Sequence, residues 1–264
     1  MIEHPPSIFA GFAVLTLVAT GCVTDAPENL EELLVYGFVN FDDDAAQKAT
    51  IDGLLPLKEA HEEALTEGFR VDELSQQNLT DAGQGATIES GIVGSAATVQ
   101  YTSDVDQIAG AWSYEHMEEV IETTVAYDVR EETGDRNCFI DRECPTYSIS
   151  AWRQNTMGIF GTSEQEFERN FRWVETNDGV EALMIRELVP DGAEMTSAIV
   201  AVHQQFSYSV LIAESGGTER LDTFWIDAEV IGADLPDAWA LDMAVSSMTR
   251  TAEDVDQWIT ENGD

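Results

Sequence analysis

The sequence predicts an α+β fold, with an antiparallel sheet closed by one long C-terminal helix and preceded by a helical N-terminal segment. Three patterns predict it. Near the C-terminus Ala238, Leu241, Val245, Met248, Ala252, Val255 and Ile259 recur at alternating steps of three and four residues, which is one continuous helical stripe. Between residues 97 and 231 short stretches alternate apolar with polar residues and are parted by turn signals, the pattern of strands in a sheet. Ahead of them, residues 28–79 carry helical apolar spacing.

The first element is an apolar run over residues 8–20, too short for a bilayer span, which needs roughly 20 residues. It leads into Ala19-Thr20-Gly21-Cys22. An apolar run, small residues and then cysteine resembles the lipobox of bacterial lipoproteins. The resemblance implies a signal peptide over residues 1–21, cleavage before Cys22 and acylation of its thiol. Two or more acyl chains anchor a protein stably. Residues 22–27 then form a tether that holds the body at the membrane. Val23, where inner-membrane lipoproteins carry Asp, implies the outer membrane, facing the periplasm or the cell surface. Residues 1–7 hold no Lys or Arg, and Ala19 stands where the pattern prefers Leu. An ordinary secretory signal and a buried apolar N-terminus are the alternative readings.

Residues 28–82 read as the helical segment. Leu30, Leu33, Leu34 and Gly37 share one face, and Asp25 and Pro27 are start signals. Asp42-Asp43-Asp44 interrupts and reads as a helix cap, because the Gly and Glu of a calcium loop are missing. A second helix follows over residues 45–68, broken near Pro56. Asp81 to Gly85 is a turn or hinge, and residues 86–264 form the sheet-and-helix domain. Its strands are read at Ala97, Val99 and Tyr101; at Val125, Tyr127 and Val129; at Tyr147, Ile149 and Ala151; and at Phe167, Arg169, Phe171 and Trp173. Three more follow, over residues 180–189, 206–212 and 221–231. Asn177-Asp178-Gly179 and Gly216-Gly217 are the hairpin turns. Residues 103–112 form a short helix.

Composition excludes whole classes. The hydrophobic share of 44% is that of a folded protein and not of an acidic disordered tail. The formal charge is −39, and without Glu3 of the signal it is −38. A nucleic-acid partner is excluded, because phosphate recognition needs a basic surface. A docking face for anionic lipid is disfavoured for the same reason. The acids are dispersed along the chain, which reads as a solvated surface suited to salty surroundings; the alternative is attraction of cations or basic partners.

Cys138 and Cys144 remain once Cys22 is assigned to lipid. An exported compartment is oxidising, so the pair reads as a disulfide pinning a loop between two strands. The CxxC spacing and neighbouring histidines of a zinc site are missing. No metal or cofactor is expected, and no catalytic residue is assigned. His116, in Glu115-His116-Met117-Glu118-Glu119, lacks HExxH spacing, and no GxSxG elbow or phosphate-cradling glycine loop occurs.

Three stretches carry a second resemblance. They are Tyr101-Thr102-Ser103-Asp104-Val105-Asp106-Gln107-Ile108, Gln165-Glu166-Phe167-Glu168-Arg169-Asn170-Phe171 and Gly232-Ala233-Asp234-Leu235-Pro236-Asp237-Ala238-Trp239. With the order of elements, they resemble the helix-grip fold of START-like lipid-transfer domains and polyketide cyclases. The resemblance implies a curved sheet wrapped around the long helix, with a cavity between them for a hydrophobic small molecule or lipid. The candidate cavity residues are Arg169, Phe171, Trp173, Phe206, Tyr208, Phe224, Leu241, Val245 and Met248, with plain core packing as the alternative. Arg169, if inward, must be paired; it anchors an anionic head group or bridges to one of the abundant acids. The function expected is a non-enzymatic, lipid-anchored envelope protein that binds or carries a hydrophobic ligand. The alternatives are an interaction protein with a solid core and a cyclase- or hydratase-like enzyme using a cavity acid of raised pKa.

Overall fold

The computed structural model describes residues 26–88, 91–158, 161–230 and 237–263. Cys22, the signal run and the turn at residues 232–236 lie outside the described residues.

Asn29 caps α1 (Leu30–Val39) by accepting the Glu32 N–H at 2.8 Å. Asp43 caps α2 (Asp44–Ala60), accepting from the Ala45 and Ala46 N–H groups at 2.8 and 3.0 Å. The acidic triplet is thus a cap, as its sequence suggests. The expected break at Pro56 does not occur. Pro56 and Asp52, one turn back, are both exposed, so water reaches the carbonyl that proline leaves unpaired and α2 runs on to Ala60. After α3 (Glu62–Glu67), Gly68 at φ 83° turns the chain into β1 (Phe69–Leu74).

The N-terminal helices are as the sequence predicts, but Phe69–Leu74, read as part of that helical segment, is a strand. β1 pairs antiparallel with β2 (Ile92–Tyr101) and buries Val71 and Leu74. Without β1, the outer edge of β2 would expose a row of unpaired backbone groups. Between the two strands lies α4 (Gln76–Asp81), capped by Ser75 and Asn78.

The chain continues through α5 (Val105–Trp112), α6 (Met117–Val120), β3 (Thr124–Thr133), α7 (Arg136–Ile140), β4 (Thr146–Thr156), β5 (Thr162–Glu175) and β6 (Glu181–Val189). A two-residue β7 (Glu194–Met195), the long β8 (Val200–Glu214) and β9 (Gly217–Val230), and α8 (Asp237–Asn262) complete it. The strands form one curved antiparallel sheet in the order β1-β2-β9-β8-β6-β5-β4-β3, with β7 paired to β5. Cys138 and Cys144 are bonded across the α7 loop, between β3 and β4, with Cα atoms 5.2 Å apart.

The sheet is buried on both faces. On the concave face Ile149, Phe171, Ile185 and Leu211 join α5, α6, α7 and α8 in one apolar cluster. On the convex face Met184, Phe206, Tyr208, Val210 and Trp225 join α1, α2 and α4 in another. α1, α2 and α4 of this segment cover the back of the sheet, while Gly68, at the α3–β1 turn, comes against Leu241 and Val245 of α8. Two-sided burial explains why β6 reads Ala-Leu-Met-Ile-Arg-Glu-Leu-Val with no polar alternation.

The C-terminal half of α8 is locked down. Met248, Ala252, Val255 and Ile259 are buried. The Asp256 carboxylate accepts the Thr102 and Ser103 N–H groups at 2.7 and 3.1 Å, and Asp254 accepts the Glu122 N–H at 3.0 Å. Toward the other end, Leu241, Ala244 and Val245 are only half-buried. Among the described residues, no helix is long and apolar enough to cross a membrane.

Candidate ligand-binding site

Strand register divides the concave face into three zones. At one end Phe139 of α7 stacks on Tyr147 and Trp173, with centroids 5.9 and 5.7 Å apart, and packs on Phe171. The Trp173 indole donates to the Phe139 carbonyl at 2.9 Å, and the Arg142 guanidinium lies 4.2 Å over the Trp173 ring. The disulfide loop thus seals this end with aromatic rings.

The middle zone is polar and buried. Glu187 of β6 lies opposite Arg169 of β5 and accepts from its Nε and Nη2 at 3.0 and 2.6 Å. The same carboxylate accepts from Arg153 of β4 at 2.5 and 3.2 Å. Trp112 of α5 covers the group: its carbonyl accepts from Arg169 Nη1 at 3.2 Å, and its ring lies 4.9 Å from the Arg169 guanidinium and 4.6 Å from that of Arg220. Burial alone would push the Glu187 carboxyl up, but the Arg153 and Arg169 charges outweigh it and hold the group at about 2. Tyr127, in one cross-strand row with Arg153 and Gln165, has its hydroxyl pushed up by burial. Nearby, Arg220 is neutralised by Asp222 at 2.8 Å. The Arg153–Glu187–Arg169 group, by contrast, holds two guanidiniums for one carboxylate and carries an excess positive charge. The Tyr127 hydroxyl, the Trp112 Nε1–H and the Arg220 Nε–H are buried there without a partner.

The third zone is half-buried. Ser95, Phe224 and Ser207 extend the Glu187–Arg169 row across β2, β9 and β8. All three are only half-buried, although they sit on interior strands of the sheet, and Gln205 and Ile226 beside them are half-buried too. The half-buried stretch of α8 carries Leu241, Ala244 and Val245. α8 therefore packs tightly at its C-terminal end, while the mixed polar and apolar surface toward Leu241 and Val245 is half-buried.

Of the nine sequence candidates, Arg169 lies in the polar zone, and Phe224, Leu241, Val245 and Met248 belong to the concave cluster or pack against it. Phe171 and Trp173 lie in the aromatic seal. Phe206 and Tyr208 were expected on the same face, and the structure corrects this. Both point to the convex side, where Phe206 meets Phe38 at 6.0 Å and the Tyr208 hydroxyl donates to Gln47 Oε1 at 2.8 Å. The apolar parity of β8 serves the N-terminal helices, and Gln205, Ser207 and Ser209 face the concave side. Glu187, Arg153, Tyr127 and Trp112 escaped sequence reasoning. The available signal was Arg186-Glu187 inside an otherwise apolar strand, a placement that demands partners.

Fold and site together define a helix-grip architecture with a charged concave interior. No family model matches the chain, and no curated protein matches it. Among solved structures it is similar to human StAR-related lipid transfer protein 5, at 9% identity and a TM-score of 0.41, covering 83% of this chain and 99% of that one. It is similar to a START superfamily protein from Mycobacterium smegmatis at 6% identity and a TM-score of 0.40, covering 63% and 96%. It is also similar to the di-domain ARO/CYC BexL of the BE-7585A biosynthetic pathway at 11% identity and a TM-score of 0.39, covering 82% and 59%.

Proposed function

We propose that the chain binds an amphipathic hydrophobic molecule between α8 and the concave face, with an anionic or hydrogen-bond-accepting head beside Arg153 and Arg169. The observation that carries this reading is the excess positive charge of the Arg153–Glu187–Arg169 group, enclosed in a chain of formal charge −39. A buried charge without a counterion costs several kcal/mol. An acidic head group would supply that counterion. The half-buried Phe224, Ile226, Leu241 and Val245 would take the apolar body.

The reading is one of binding and carriage. The Arg153 and Arg169 charges hold the Glu187 carboxyl well below the usual range, which favours a charge-pairing role for it. Among the described carboxylates, the one raised by burial is Asp254, which is engaged with the Glu122 N–H in the α8 lock.

The lipobox-like run ending at Cys22 supports an envelope location, with the acylated cysteine holding the body at the membrane. The mass of the mature N-terminal peptide and the fractionation of Cys22→Ala test this part separately.

Native mass spectrometry of the chain, purified without detergent and then offered a panel of fatty acids and neutral lipids, tests the binding. Uptake of acids that Arg153→Met weakens at least tenfold supports the reading. An empty protein that takes up neither class overturns it in favour of a solid-core interaction protein.

A further inference from the structure

The C-terminal end of α8 carries an aromatic patch apart from the charged concave group. Trp258 meets Tyr114 of the α5–α6 loop, with ring centroids 5.1 Å apart and planes tilted by 41°. His116 stands edge-on to the same tyrosine at 5.5 Å. Tyr114 and Trp258 pack against the concave cluster, but both are only half-buried, so part of each ring meets water, and His116 is exposed.

The charge around these rings is negative. Glu115, Glu118 and Glu119 are exposed beside them. The Tyr114 hydroxyl donates to Glu119 at 3.4 Å, and Glu118 and Glu115 lie 3.6 and 4.0 Å from the His116 ring nitrogens. Glu261, also exposed, stands one turn beyond Trp258 on α8. The C-terminus of α8 adds the negative end of a 26-residue helix dipole, and its last turn holds no basic residue. Among the described residues, no Lys or Arg pairs with these four glutamates. The Arg136 guanidinium, 6.0 Å from the Tyr114 centroid, is engaged within the fold, donating to the Gly110 and Ser113 carbonyls at 2.8 Å each.

The same chain shows what such a constellation holds. Arg142 lies 4.2 Å over the Trp173 ring while it pairs with Asp106 at 2.7 Å and with Glu181. Trp258 repeats the ring and the flanking carboxylates without the guanidinium. We infer that this patch docks an arginine-bearing basic segment of a partner protein, its guanidinium stacked on Trp258 and paired with a flanking glutamate. Arginine fits better than lysine, because a planar, weakly hydrated guanidinium stacks on a ring face. The formal charge of −39 attracts such a segment from a distance, and the rings fix where it docks.

The test is a titration of the full chain with a blocked Gly-Arg-Gly-Arg-Gly peptide, followed by NMR at the Trp258 indole N–H and set against the lysine peptide of equal charge. A saturable shift and tighter binding of the arginine peptide are expected. Trp258→Leu should weaken that binding about two- to fivefold, the worth of an exposed ring–cation contact. Glu118→Gln with Glu119→Gln should also weaken it, whereas Glu59→Gln with Glu63→Gln, the same charge change at exposed positions of α2 and α3, should leave it unchanged. If Trp258→Leu does not fold, the exposed glutamate pairs carry the test. No saturable shift at Trp258, equal weakening by the two glutamate pairs, or equal binding of the lysine peptide overturns the inference. The first outcome leaves the rings as cover for the core, and the other two mean diffuse attraction to an acidic surface.

Discussion

Replacing Glu187 with glutamine tests the concave charge group directly. Glu187→Gln keeps the shape and removes the one carboxylate that faces Arg153 and Arg169. Arg169, buried, and Arg153, half-buried, then lose their counterion, and breaking a buried pair in this way costs about 3–5 kcal/mol. The pH dependence expected of this pair gives a second figure. The Glu187 carboxyl is held from its ordinary 4.5 down to about 2 by the Arg153 and Arg169 charges, and one unit corresponds to about 1.4 kcal/mol, so the coupling is on the order of 3 kcal/mol. A depressed folded value means that this stability is fully present above about pH 4.5 and is lost as pH falls toward 2. The many surface carboxylates act the other way, because protonating them relieves repulsion in a chain of charge −39. The useful quantity is therefore the difference between parent and variant in urea unfolding, measured from pH 7 down to the lowest pH at which both still fold. The difference should hold near 3–5 kcal/mol above pH 4.5 and shrink by about 1.4 kcal/mol per unit below it. A difference under about 1 kcal/mol at pH 7, or one that does not change with pH, would refute a buried, ionised Glu187.

Raising sodium chloride from 0.01 to 1 M shortens the Debye length from about 30 to about 3 Å, so the melting temperature of this acidic chain should climb with salt; a flat profile would show that its surface repulsion is negligible. Breaking the disulfide by Cys138→Ser with Cys144→Ser should cost about 2 kcal/mol in urea unfolding, the closure entropy of so short a loop; no loss would mean that the aromatic seal alone holds the α7 loop. Gly37→Ala places a methyl group 2.5 Å from the Tyr208 hydroxyl on the convex side and should lower stability by about 1–3 kcal/mol; a neutral result would mean that α1 is not seated there.

The parts most legible in the sequence are those with a one-sided pattern. The α8 stripe reads cleanly because that helix has a single buried face, and Met248, Ala252, Val255 and Ile259 are buried. The β5–β6 and β8–β9 hairpins were marked by Asn177-Asp178-Gly179 and Gly216-Gly217, and Gly179, Gly216 and Gly217 all take positive φ. Two-sided burial hid the rest. In β8 the apolar Phe206, Tyr208 and Val210 alternate with Gln205, Ser207 and Ser209, so the apolar parity invites assignment to the grip of α8. It belongs instead to the N-terminal helices, whose position on the back of the sheet no local pattern reveals. β1 was lost for a related reason: six residues with two buried apolar side chains are too few to outweigh helical flanks. Glu187 and Arg153 acquire their meaning only when the β4–β5–β6 register brings them to Arg169.

The placement of the basic residues separates function from architecture. Among 12 basic residues against 51 acidic ones, Arg169, Arg172, Arg186 and Arg220 are buried. Arginine suits such sites because its planar fork pairs bidentately and is less strongly hydrated than an ammonium. On the convex face, Arg172 and Arg186 pair with Asp44 and Asp42, joining the α1–α2 turn to β5 and β6, so the pairing serves to hold the N-terminal helices. On the concave face, Arg220 is matched by Asp222 and needs nothing further for charge. Arg153 and Arg169 differ in sharing one carboxylate. A chain with 51 acids had many ways to place a second one beside them. On the proposed reading, the head group of the ligand would match the guanidinium left over beside this half-buried surface.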